Sequence, residues 1–222
     1  MNAFIFASGV NQNGRDSDWG FRAGAEEFKK IHQVPQPICY FDWRKSKAEK
    51  QKKIVDDLIS VGCDDPEGLD AVVYFGHGQS DALLSAGYYS PQGGHVVTDE
   101  VCDLAGTIVA TSKHDVKVIL YSCSSGKLMN SFAGALSFAL GSMDATVFGH
   151  TVKGHTFANP YVSVFESSLT GSNLVEPGGK AWPSWKSEMD AANTADWKRH
   201  PLWALFPFMD PAVLNGGILC AS

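Results

Sequence analysis

The chain has 222 residues, 44% hydrophobic and 19% charged, with a formal net charge of −6. That is the composition of a globular protein with a real core, and the absence of a dense basic block excludes the electrostatic footprint of a nucleic-acid binder. Five cysteines, Cys39, Cys63, Cys102, Cys123 and Cys220, show neither tight pairing nor Cys-x-x-Cys spacing, which argues against a disulfide framework or zinc knuckle and suits a reducing compartment.

Ala3-Phe4-Ile5-Phe6-Ala7 reads as a buried first strand ending in Ser8-Gly9. It is too short for the apolar core of a secretory signal, and no run approaches a membrane span. A cytoplasmic protein with no membrane partner is expected. A polar loop, residues 10–20, leads to an amphipathic helix carrying Phe21, Ala25, Phe28 and Ile31 at intervals of three or four. Pro35 and Pro37 close that unit, and Ile38-Cys39-Tyr40-Phe41 forms a second strand.

Ser46-Lys47-Ala48-Glu49 has the spacing of a capping box, and Ile54, Val55, Leu58 and Ile59 continue one apolar helical face to Gly62. The Lys-rich stretch from Lys45 to Lys53 reads as the solvated face of that helix. The third strand is Ala71-Val72-Val73-Tyr74-Phe75, ending in Gly76-His77-Gly78. A hairpin formed by Leu83-Leu84 and Tyr88-Tyr89 fits the Gly/Tyr/Ser-rich loop that follows. Thr98 then caps a helix with Val101, Leu104, Ala105 and Ile108.

The fourth strand, Val116-Lys117-Val118-Ile119-Leu120-Tyr121, stops in Ser122-Cys123-Ser124-Ser125-Gly126. A helix through Phe132, Ala135, Leu136, Ala139 and Leu140 is apolar nearly all round and is expected to be buried, starting around residues 128–130. Ala145-Thr146-Val147-Phe148 gives a fifth strand. This alternation predicts a three-layer α/β fold, a mostly parallel sheet with helices on both faces. Residues 1–150 form the core. Residues 151–222, with four of the six tryptophans and six of the ten prolines, form an extension packed on the same domain.

His77 and Cys123 both fall just past strand carboxyl ends, where open parallel sheets bind ligands. A thiol beside an imidazole is the minimum kit for nucleophilic acyl transfer. Imidazole and a following helix amino terminus both favour the thiolate. The backbone amides of Gly78 and Cys123 are candidate oxyanion donors, and Ser122 keeps the turn small and polar.

The strand–His–Gly and strand–Cys pair resembles the caspase-like cysteine peptidases, which include caspases, metacaspases, legumain, clostripain, gingipains and separase. The interval between His77 and Cys123 is close to the roughly 50 residues of caspases, and Tyr121-Ser122-Cys123-Ser124-Ser125-Gly126 is nearest the separase form of the motif. The caspase sequence Gln-Ala-Cys-x-Gly is absent. The resemblance implies a cysteine endopeptidase acting on a protein or peptide substrate. In it Cys123 attacks the scissile carbonyl and His77 protonates the leaving amine. It implies no cofactor for the chemistry, although some relatives require calcium, and Asp64-Asp65 lacks EF-hand spacing. It also implies a specificity pocket built partly from the loop after the first strand, which holds Arg15, Asp16 and Asp18. An inward Asp16 would select Arg or Lys and an inward Arg15 an acidic residue, while Asp18 also suits a helix cap.

Three other readings bear on the same residues. His150 and His155, with Cys123 as a third ligand, would make a metallohydrolase; alternatively, His150 borders the cleft and hydrogen-bonds locally. Residues 121–128 fail the phosphate-loop pattern at Tyr121 and Leu128, and no Gly-x-Ser-x-Gly elbow occurs at either strand end. A catalytically silent caspase-like module that binds a partner is the remaining alternative.

Overall fold

The computed structural model describes residues 1–9, 17–90, 97–127, 129–151, 162–167 and 173–175. The strands are β1 (Ala3–Ser8), β2 (Ile38–Phe41), β3 (Leu69–Phe75), β4 (Ala82–Leu83), β5 (Tyr88–Tyr89), β6 (Ser112–Tyr121), β7 (Thr146–His150), β8 (Val162–Glu166) and β9 (Asn173–Val175). The helices are α1 (Ser17–Ile31), α2 (Lys47–Cys63), α3 (Asp99–Thr111) and α4 (Phe132–Ala139). Seven strands form one sheet in the order β2-β1-β3-β6-β7-β8-β9, and β4-β5 make a separate hairpin. The first five of that order are mutually parallel, and β8 and β9 add antiparallel at one edge.

Connection handedness explains the layers. From β1 the chain steps outward to β2 through α1, then back across β1 to β3 through α2, and onward to β6 and β7 through α3 and α4. Right-handed crossovers that run in opposite directions must use opposite faces. Accordingly Phe21, Ala25 and Phe28 of α1 pack on Ile5, Val73, Phe75 and Ile119. On the other face Ile54 and Leu58 of α2, Leu104 and Ile108 of α3, and Phe132 and Leu136 of α4 cover Phe4, Phe6, Val72, Tyr74, Val118 and Val147. This is the mixed α/β fold with a mostly parallel sheet and helices on both faces.

The structure shifts several expected boundaries: α1 begins at Ser17, inside the stretch read as a loop, and the first hairpin strand is Ala82–Leu83, one residue before the expected Leu83-Leu84. The first residues of β6 run straight on from α3, so the strand begins at Ser112, well before Val116. The buried helix starts at Phe132, after a turn, and not at 128–130. Two strands, β8 and β9, lie in the segment beyond residue 150, where sequence periodicity assigned none. Finally, the Lys-rich face of α2 is solvated at Lys52 and Lys53, which pair with Asp56 and Asp57 at 2.6 Å each, but Lys50 is buried at 9% exposure.

The capping box expected at Ser46 is present. Ser46 Oγ accepts from the Glu49 amide at 3.3 Å, and the Ser46 amide donates to Glu49 Oε2 at 3.0 Å. The hydrogen bonds from Ser46 hold the Glu49 carboxyl below its ordinary range. A depressed folded-state pKa contributes stability that is present above the unfolded value and lost as pH falls through the folded one. Ser46→Ala is therefore expected to lower stability by about 1 kcal/mol at neutral pH. The difference from wild type should narrow as Glu49 protonates, and urea unfolding at pH about 7 and about 3 will show whether it does.

Candidate functional site

β3 and β6 pair parallel, with Val73 opposite Ile119, Tyr74 opposite Leu120 and Phe75 opposite Tyr121. His77 and Cys123 each follow that last rung by two residues, so both leave the sheet at the same level of its carboxyl edge. Two features fix the level. The rings of Phe75 and Tyr121 stack with centroids 4.4 Å apart and planes 9° from parallel, an arrangement worth about 1 kcal/mol beyond its buried area. Above them, a Cβ built on Gly78 would lie 2.7 Å from Ser122 Cβ and 2.8 Å from Ser122 Oγ. The residue after His77 is thus packed directly on the residue before Cys123, and only glycine permits that approach.

His77 is half-buried and held from three sides. Its amide donates to Ser85 Oγ at 3.0 Å, and its carbonyl accepts from the Tyr74 hydroxyl at 2.9 Å and the Ser85 amide at 3.4 Å. Its ring meets Phe21 of α1 edge-on, with centroids 4.9 Å apart and planes at 86°. Ser85 belongs to the turn of the β4-β5 hairpin, so the hairpin expected from the sequence clamps the backbone of the histidine. The Gly78 amide donates no hydrogen bond among the described residues, as an oxyanion donor requires before substrate arrives.

Cys123 is half-buried in a tight turn. The Ser122 amide folds back on the Leu120 carbonyl at 2.9 Å, Ser125 Oγ donates to the Ser122 carbonyl at 3.3 Å, and the Lys127 amide donates to the Ser124 carbonyl at 3.1 Å. Ser124 adopts φ of +57°, left-handed for a residue with a Cβ. The turn is anchored to β7 where Gly126 meets Gly149 backbone to backbone: the Gly126 amide donates to the His150 carbonyl at 2.9 Å, and a Cβ on Gly126 would lie 2.2 Å from the Gly149 carbonyl oxygen.

The remaining expected site residues separate. Arg15 and Asp16 lie outside the described residues, as does His155. Asp18 sits inside the first turn of α1, which begins at Ser17, so it is not the residue that precedes and caps the helix. Ser122 is fully buried, with its hydroxyl under Gly78, and offers no surface to a substrate. His150 closes β7, is 1% exposed, and lies against Tyr121 with ring centroids 6.1 Å apart. Its carbonyl accepts from the Gly126 amide of the cysteine turn at 2.9 Å. Although α4 starts only at Phe132, its first turn reaches the cysteine turn: the Ala133 amide donates to the Ser125 carbonyl at 2.9 Å. No three His, Cys, Asp or Glu side chains converge on a metal position among the described residues. Sequence reasoning missed Ser85, whose only signal was its place in a predicted hairpin.

The close packing of the two turns is testable through stability. Gly78→Ala is expected to destabilise the fold by about 1–3 kcal/mol by overpacking. Ser122→Gly in the same chain should recover at least half of that loss, because it removes the atoms that a Gly78 Cβ would meet. Chemical unfolding of both single variants and the double variant measures this coupling; additive losses would show that the turns do not touch. Comparison with known proteins finds no matching family model, no matching curated protein and no matching solved structure.

Proposed function

We propose that the chain is a cysteine endopeptidase of the caspase-like kind, using Cys123 as nucleophile and His77 as general acid and base. The observation that carries this reading is the in-register pairing of β3 and β6, which brings the turns bearing His77 and Cys123 to the same level of the sheet edge, in contact through Gly78 and Ser122. Matched strand ends of this kind make a shared cleft at the carboxyl edge of a parallel sheet.

In the reaction, Cys123 Sγ, as thiolate, forms a bond to the carbonyl carbon of a peptide. The carbonyl oxygen takes up the electron pair and is met by the amides of Gly78 and Cys123. Collapse of the tetrahedral species breaks the carbon–nitrogen bond, and His77 delivers a proton to the departing amine. Water then attacks the thioester while His77 accepts its proton, and the carboxylate product leaves with the thiol restored. Cleavage after Arg or Lys is part of the proposal and rests on Asp16, which follows β1 in the sequence. No helix among the described residues is long and apolar enough to cross a membrane.

The test is covalent labelling with peptide acyloxymethyl ketones carrying Arg, Asp or Asn at the recognised position. Wild type, Cys123→Ala and His77→Ala are compared, with intact mass and peptide mapping to locate the adduct. Labelling at Cys123 with the Arg probe, lost in Cys123→Ala and slowed at least about 100-fold in His77→Ala, is expected. A folded, reduced wild type that no probe labels would favour the silent binding module instead.

A further inference from the structure

Lys50 stands on the buried stripe of α2, in line with Ile54 and Leu58, where an apolar residue would ordinarily sit. Its side chain is 9% exposed and forms no ion pair among the described residues. The nearest carboxylate acting on it is Asp42, and Asp42 is already gripped by Arg44, whose Nε and second guanidinium nitrogen reach its oxygens at 2.7–3.1 Å. The Lys50 ammonium instead donates to two backbone carbonyls, Ser85 at 2.9 Å and Trp43 at 3.5 Å. A buried cation without its own counter-ion is destabilising unless its hydrogen bonds do something an apolar side chain cannot do.

What those bonds hold is the hairpin turn that grips the histidine. Ser85 accepts the His77 amide on its hydroxyl and returns its own amide to the His77 carbonyl. One residue along α2, Gln51 Nε2 donates to the Gly87 carbonyl at 2.9 Å. Gly87, at φ of +82°, lies over the Lys50 stem, where a Cβ would stand 3.6 Å from Lys50 Cε. Helix α2 therefore grips both sides of the turn and Ser85 passes that grip to His77.

We propose that Lys50 is a positioning residue for His77, acting through Ser85: its buried ammonium fixes the β4-β5 turn, and the turn fixes the backbone from which the imidazole projects into the cleft. This deepens the peptidase reading and rests on it for the meaning of the cleft, while the link from Lys50 to His77 can be measured independently. A misplacement of about 1 Å at a reacting group lowers rate by about 100-fold, whereas substrate binding away from the imidazole is untouched.

The experiment uses the full chain with Lys50→Met, Ser85→Ala, the double variant and Cys123→Ala as blank. Two quantities are read: kcat and KM on a fluorogenic peptide amide bearing the residue that the ketone probes prefer, and the titration of the His77 imidazole by NMR in histidine-labelled protein. Each single variant is expected to lower kcat by about 10–100-fold with KM within about twofold. The double variant should be no slower than the slower single, because both cut the same chain of contacts. The His77 titration midpoint should move in both. A folded Lys50→Met with wild-type kcat and an unmoved His77 titration would overturn the proposal, as would strictly additive losses. If wild type cleaves no peptide, the peptidase reading fails by itself and the His77 titration decides this one: moved in Lys50→Met, it stands; unmoved, it falls. Should Lys50→Met not fold, Lys50→Gln, which keeps a donor without the charge, is read by the same two measurements.

Discussion

The register between β3 and β6 is the constraint on which the site depends. In a strand each residue advances the chain by about 3.3 Å and reverses the side-chain direction. A slip of one residue would separate His77 from Cys123 by that distance and turn Phe75 and Tyr121 onto opposite faces of the sheet. The alternation along both strands forbids it. Val72, Tyr74, Val118 and Leu120 are buried under α2, α3 and α4, while Val73, Phe75, Ile119 and Tyr121 are buried on the face of α1. The one irregularity in the pairing falls between Leu69 and Ala71, at the far end of the strands. Mismatch in strand length is absorbed there, and the carboxyl ends stay aligned.

The switch in strand order opens a crevice beside β3. After β1 the chain leaves toward the face of α1, and after β3 it leaves toward the opposite face, so the gap above β1 and β3 has no crossover spanning it. His77 stands at that gap and touches both layers: Phe21 of α1 by its ring and, through Ser85, Lys50 of α2. A residue steadied from both helical layers has little freedom left in its backbone.

Much of this was legible in the sequence because it is carried by local pattern. Apolar runs marked the five parallel strands, Ser46 and Thr98 marked two helix starts, and the abrupt Gly/Ser endings of two strands singled out His77 and Cys123. Tertiary features were not legible. Nothing local says that β3 and β6 are neighbours, or that Gly78 lies on Ser122, since both follow from crossover direction. β9 has only three residues, too few for any period to show, whereas Val162–Glu166 carries a weak alternation that the surrounding tryptophans and prolines obscured. Lys50 was hidden by its neighbours: among Lys45, Lys47, Lys52 and Lys53 it reads as one more solvated charge. Only its spacing of four from Ile54 places it on the buried stripe.

Unsatisfied polar atoms occur at both edges of the sheet, with more of them near the carboxyl edge. At the amino edge, Asp70 accepts from the Asn2 amide at 2.8 Å and from Lys113 at 2.7 Å, so the buried polar groups are answered. At the carboxyl edge the hydroxyls of Ser8 and Ser122 and the indole nitrogen of Trp43 are buried with no hydrogen-bond partner among the described residues, as is one carboxylate oxygen of Asp81 in the turn beyond His77. The hydroxyls of Ser112 at the other edge, Tyr88 in the hairpin, and Ser131 and Ser137 at α4 are buried in the same way. A buried polar group that also finds no water is destabilising by about 1–3 kcal/mol. A left-handed Ser124 and a cation held only by carbonyls lie near the same edge, while Gln33, at φ of +50°, is left-handed away from it. Natural sequences break local rules of this kind chiefly where a site demands it. Departures of this kind near the carboxyl edge of β3 and β6 support the site proposed there, and those at Gln33 and Ser137 show that they are not confined to it.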